Sequence, residues 1–181
     1  MFHKTILLML TFISFLFASP ELASQANLNI LIVVDGLRPD LINPNDTPNM
    51  YALKQDGVFY ENSHAVFPTV TRVNSAAIAS AAYPEKNGIV SNSMYVGSIN
   101  PNKSFSTGEY KNLIELENQT GGKLFQCKTA AQRVTAAGKK FVGISSGSTG
   151  TSFLLNHKAV NGAGVVIHGY FEDGKRVAYP D

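Results

Sequence analysis

The chain has 181 residues, with 15 Lys and Arg against 13 Asp and Glu, a net charge of +2 and 44% hydrophobic residues. So small a charge, with the bases scattered among acids, gives no electrostatic footprint for nucleic-acid binding. The single cysteine, Cys127, excludes an intramolecular disulfide scaffold.

At the N terminus Lys4 precedes the apolar run Ile6 to Ala18, and small or polar residues follow to Ala26. Residues 1–26 therefore read as a secretory signal peptide, with Ser24 as a second cleavage position. The run is shorter than the about 20 apolar residues of a bilayer span, so no stable membrane span is expected after cleavage. The expected product is exported, periplasmic or secreted, and begins near Asn27. Residues 27–181 are then expected to form one globular unit, of a length that buries about 68–70% of its unfolded surface.

Leu28 to Val34 is a nearly continuous β-branched run, the pattern of a strand covered on both faces in a parallel sheet. It would carry Asp35 to the carboxyl edge of that sheet, where ligands bind in open α/β folds. Asp46-Thr-Pro-Asn opens a helix over about 47–56 that stops at Gly57. Val58 to Phe67 reads as a second strand, and an alanine-rich helix from about Arg72 to Ala82 follows Thr71 directly. Gly88 to Gly108 is rich in Asn, Ser, Gly and Pro and is expected to form surface loops with a short strand at 93–96. Helices are expected over 111–118 and 128–137, the latter stopped by Gly138. Strands are expected over 140–145 and 164–168, after which the chain runs out through Glu172-Asp-Gly-Lys. Alternating β and α elements with buried strands give an α/β layered fold.

Thr71 stands where an extended segment becomes a helix. A threonine there can cap the first turn, and the helix N–H groups beside it form a ready anion site. The same position suits a nucleophile that attacks phosphorus. Asp35 has a plain alternative role, since an aspartate before glycine is a good turn former. Asn92 could equally be a turn residue in its Asn- and Ser-rich loop.

Val-Val-Asp-Gly-Leu-Arg at 33–38, Phe-Pro-Thr-Val-Thr-Arg-Val-Asn at 67–74, Tyr-Pro-Glu-Lys-Asn-Gly-Ile at 83–89 and Asn-Ser-Met-Tyr at 92–95 occur in order. Together they resemble the alkaline phosphatase superfamily, in its type I phosphodiesterase and nucleotide pyrophosphatase branch, with weaker similarity at 145–150. The resemblance implies an alkaline-phosphatase-like layered fold with a mainly parallel central sheet. It also implies a metal-dependent hydrolase of phosphodiester or nucleotide pyrophosphate bonds, acting on a small-molecule substrate. Thr71 would be the nucleophile and a zinc ligand, Asp35 a second ligand of that zinc, and Asn92 a hydrogen-bond donor to a phosphate oxygen. Thr69 competes with Thr71 for the nucleophile's place, but Thr71 stands next to the helix and before Arg-Val-Asn, as the family pattern requires.

Three departures qualify this picture. Ala81-Ala82 replaces a common Thr-Gly, and Asn87 replaces a common histidine. The complete family site holds two zinc ions, whose remaining Asp and His ligands lie later in a longer chain. Here His64, His157, His168, Glu172, Asp173 and Asp181 fall in no recognisable ligand pattern. The chain thus reads as a truncated form, the N-terminal part of such an enzyme, weakly active or inactive as it stands. The alternatives are a phosphomonoesterase or phosphonate hydrolase of the same superfamily, or a non-catalytic exported fragment. Gly143-Ile-Ser-Ser-Gly147 fits a hydrolase nucleophile elbow, yet no histidine follows Glu172 or Asp173 to complete a triad. Gly147-Ser-Thr-Gly150 lacks the Gly-Lys end of a phosphate-binding loop.

Overall fold

The computed structural model describes residues 28–180, so the signal-peptide reading of 1–26 lies outside the described residues. The chain divides into two units, Met1–Pro48 and Asn49–Asp181. Among the described residues no helix is long and apolar enough to cross a membrane.

In the first unit the expected strand at Leu28–Val34 is absent: these residues belong to no ladder, and their aliphatic side chains are 50% to 77% exposed. A β-branched run specifies extended chain, but a strand also needs a neighbour to accept its N–H groups. The unit's ordered part follows Gly36. A 3₁₀ turn spans Pro39–Leu41, Arg38 grips Asp40 through two hydrogen bonds, and Asn43 bonds the carboxylate of Asp46 and the N–H groups of Asn45 and Asp46.

The second unit mixes helices with two small sheets. Helix α1 (Pro48–Asp56), all but its first residue in this unit, starts at a proline and ends at Gly57, where a Cβ would stand 2.8 Å from the Leu53 carbonyl oxygen. The expected strand at 58–67 is instead irregular, with a turn at Glu61 and Asn62, and Val58 and Tyr60 lie open to solvent. Helix α2 (Thr71–Ser80) and the short α3 (Pro84–Asn87) follow. Strands β1 (Ser93–Met94) and β2 (Phe105–Ser106) pair antiparallel. Helix α4 (Tyr110–Gln119) buries Leu113 and Leu116, and α5 (Ala130–Ala136) opens on a reciprocal cap between Thr129 and Gln132.

Strand β3 (Val142–Ser145), helix α6 (Thr149–Leu155) and strand β4 (Val165–Glu172) form a βαβ unit, with β3 and β4 parallel. β5 (Lys175–Tyr179) then pairs antiparallel with β4, so the order is β3-β4-β5. The expectation of a mainly parallel central sheet thus meets one parallel and one antiparallel pairing here, within a mixed α/β architecture. The hairpin turns on Asp173 and Gly174, both at positive φ. It continues the chain where a run-out had been expected.

Helix α6 was not among the expected elements. It packs against α2, α4, β3 and β4, and its Phe153 and Leu154 are fully buried in a core with Ala76, Ile89, Leu113, Phe105 and Phe125. Its N terminus sits so close to the chain after β2 that a Cβ on Gly150 would fall 1.9 Å from the Thr107 carbonyl oxygen, and the Gly150 N–H donates to the Gly108 carbonyl at 2.7 Å.

Candidate active site

Asp35 lies in the first unit, in a turn closed by the Leu37 N–H on the Val34 carbonyl at 3.3 Å, with Gly36 at φ 79°. Only a residue without a side chain adopts that φ cheaply, so the Asp-Gly pair makes the turn. Asp35 is exposed there, at the end of an unladdered segment rather than of a strand.

Thr71 and Asn92 lie in the second unit. Val70, in extended conformation, is the N-cap of α2, so Thr71 is the first helical residue rather than the residue preceding the helix. Thr69 occupies a different setting: it is exposed at the apex of a tight turn closed by the Val70 N–H on the Pro68 carbonyl at 2.8 Å. The turn is stapled to the helix by Asn74. Its Oδ1 accepts the Val66 N–H at 2.9 Å, and its Nδ2 donates to the Val70 carbonyl at 3.1 Å and the Val66 carbonyl at 3.3 Å. Sequence reasoning missed this role, although an asparagine in the first turn after a proline-containing loop is a usable signal.

Asn92 reaches the same helix terminus from 20 residues away. Its Oδ1 accepts the Arg72 N–H at 3.2 Å, one of the donors that a helix start leaves without an intrahelical partner. The β1–β2 ladder holds Asn92 in place: the Thr107 N–H donates to the Asn92 carbonyl at 3.0 Å, and Thr107 Oγ1 to the Ser91 carbonyl at 3.0 Å. The structure therefore brings the helix that starts at Thr71 together with Asn92. The first turn of α2 carries no acidic residue to oppose an anion.

The departures from the family pattern have local consequences. Ala81 ends α2 in the left-handed region at φ 52°, which a Cβ disfavours. Asn87 is fully buried, with Nδ2 donating to the Ala82 carbonyl at 2.9 Å and Oδ1 accepting the Ile89 N–H at 2.8 Å.

The histidines do different work. His168 is fully buried, its Nδ1 hydrogen-bonded to Ser152 Oγ, and burial pushes its imidazole below the usual range. His157 is also buried, and burial pushes it down to about 4 although the Glu117 carboxylate pulls the other way. His64 is exposed. The Ser145 hydroxyl accepts the Gly147 N–H at 3.1 Å, which makes the would-be elbow serine a turn residue. Among the described residues no three of His, Cys, Asp and Glu are placed to hold one metal ion. The donor set of the described residues by itself does not fit a zinc ion, which takes roughly four ligands.

Similarity to known proteins agrees with the motif order. The family model for type I phosphodiesterase / nucleotide pyrophosphatase matches residues 29–154. A venom phosphodiesterase of Naja atra is 38% identical over 95 residues, 51% of this chain and 11% of that protein. Venom phosphodiesterase 1 of Crotalus adamanteus is 38% identical over 85 residues, 46% of this chain and 10% of that protein. Ectonucleotide pyrophosphatase/phosphodiesterase family member 3 of Mus musculus is 36% identical over 85 residues, again 46% and 10%. The matched part thus spans about a tenth of the length of these relatives. No solved structure matches the chain. With the matched region holding the first turn of α2, Asn92 and the Asp35 turn, the chain belongs to the type I phosphodiesterase / nucleotide pyrophosphatase family.

Proposed function

We propose that this chain carries the nucleophile-bearing part of a hydrolase of phosphodiester or nucleotide pyrophosphate bonds, with Thr71 as the nucleophile. The observation that carries this reading is the meeting of Asn92 with the first turn of α2, beside the family motif that contains Thr71. In this role the Thr71 hydroxyl attacks phosphorus in line, the alcohol or phosphate leaving group departs, and water then cleaves the phosphothreonine ester. The positive end of the α2 dipole and the Asn92 carboxamide favour the charge that gathers on the phosphoryl oxygens. In the family reading Asp35 and Thr71 would each give an oxygen ligand to a zinc ion, which would lower the pKa of the attacking hydroxyl. Two donors are half of the roughly four that zinc takes, which favours slow turnover by the chain as it stands. Following the names of the relatives, we read the protein as acting outside the cytosol; the Lys4 and Ile6 to Ala18 pattern is what favours a mature N terminus near Asn27.

Hydrolysis of a chromogenic phosphodiester by the purified chain, with zinc added, tests the assignment. Turnover should fall to the background in Thr71→Ala and survive in Thr69→Ala. Zinc-dependent turnover above the no-protein background that is equal in Thr71→Ala and the unaltered chain would defeat the proposal.

A further inference from the structure

We propose that Arg72 is a positioning residue that fixes the direction of the Asn92 carboxamide at the start of α2. The inference rests on the reading of Thr71 and Asn92 as a phosphoryl-transfer site, and deepens it. A cation immediately after a nucleophile invites the expectation of a direct anion contact. The guanidinium of Arg72 is instead turned inward. Its Nη2 donates to the Asn92 main-chain carbonyl at 3.4 Å, and a Cβ on Gly108 would stand 3.4 Å from its Cζ and 3.5 Å from Nη2. Its Nε is buried and has no hydrogen-bond partner. Gly108 is itself held rigidly, since its carbonyl accepts the Gly150 N–H at 2.7 Å and Thr149 Oγ1 at 3.3 Å.

The main chain of Arg72 makes the second contact, donating its N–H to Asn92 Oδ1 at 3.2 Å. A peptide N–H can only meet an acceptor, so this bond decides which end of the carboxamide faces the helix. The Nδ2 end, with two donors, points elsewhere, and no described residue accepts a hydrogen bond from it. Asn92 is thus held at its carbonyl by Arg72 and Thr107 and at its side chain by Arg72 again. Two N–H donors of fixed direction are the chemistry that recognises an anionic oxygen, and donors already oriented need no reorganisation when charge develops.

The test uses the ¹⁵N-labelled full chain, with amide hydrogen exchange at position 72 and the Asn92 side-chain N–H₂ resonances as readouts. Arg72→Met keeps the main-chain N–H and removes the Nη2 bond to the Asn92 carbonyl; with Asn92 loosened by about one ordinary hydrogen bond, exchange of that amide should speed about tenfold, and the two Asn92 side-chain N–H₂ resonances should move to the shifts of a freely turning carboxamide. Arg72→Lys, which retains the charge and N–H donors but not the planar fork, should restore both in part. Unchanged exchange and resonances in Arg72→Met overturn the proposal. Inorganic phosphate supplies the second arm: it should shift the Asn92 signals of the unaltered chain, with affinity several-fold weaker in Arg72→Met. Weaker phosphate binding with unchanged exchange would mean that Arg72 acts only as a charge, which also overturns the proposal. If phosphate moves no Asn92 signal in any variant, the phosphoryl-site reading fails, while the exchange result still decides the role of Arg72. Should Arg72→Met not fold, Arg72→Gln carries the same two readouts.

Discussion

Glu117→Gln removes one charge from a buried cluster while keeping the volume of the side chain. Glu117 is 5% exposed; its Oε2 accepts the Leu124 N–H at 2.8 Å, its Oε1 accepts Lys158 Nζ, and His157 Nε2 stands 3.9 Å from Oε1. Glutamine has one acceptor and one donor end, so it can satisfy Leu124 or Lys158 but must turn its N–H₂ towards the other. Breaking a fully buried pair from one side costs about 3–5 kcal/mol. The Lys158 side chain is 19% exposed and also donates to the Gly122 carbonyl at 2.9 Å. Partial solvation and that second acceptor reduce the expected cost to about 2–3 kcal/mol. For a domain of this size the corresponding fall in Tm is about 5–10 °C. Urea unfolding at pH 7, followed by circular dichroism, measures it. Glu117→Gln/Lys158→Met should be more stable than the sum of the single variants allows, because the orphaned charge is then gone. A loss below about 0.5 kcal/mol in Glu117→Gln would refute the reasoning, since it would place the pair among exposed ones.

Further outcomes follow from the same structure. Burial lowers the folded pKa of His157 to about 4 and that of His168 below its usual value. The unfolded chain therefore binds more protons as pH falls below about 6.5, and stability is lost from there down to about pH 4; His157 alone contributes about 3 kcal/mol of that loss. Unfolding free energy measured at pH 7, 5.5 and 4.5 should decline, and a flat profile would contradict the burial of both rings. Ala81→Gly relieves a left-handed alanine at φ 52° and should stabilise the chain by about 0.5–1 kcal/mol after the added freedom of the unfolded chain is counted, as thermal unfolding can show.

Local chemistry made part of the fold legible. Pro48 and Gly57 bracket α1, the Thr129 and Gln132 pair opens α5, and the alanine-rich run after Thr71 is α2. Leu28–Val34 misled because periodicity reports a liking for burial and extension but names no partner strand. Helix α6 was hidden because its first turn is written in Ser, Thr and Gly, residues that favour loops; close approach of Gly150 to Thr107 overrides that propensity. The β4–β5 hairpin carried a readable signal, Asp173-Gly174, the pair preferred where both turn residues take positive φ. At the site, Thr71 and Asn92 were readable as members of ordered motifs. The Arg72–Asn92 contact was not, since it joins residues 20 apart through a two-strand ladder that no local pattern encodes.

The most direct test of the central claim is to find the side chain that takes the phosphoryl group. The purified chain is incubated with zinc and a chromogenic phosphodiester, quenched with acid, digested and mapped by mass spectrometry. The expected result is an adduct on Thr71, absent from Thr71→Ala and retained in Thr69→Ala. An adduct on Thr69, or hydrolysis that survives Thr71→Ala, would contradict the assignment of the first residue of α2 as the nucleophile.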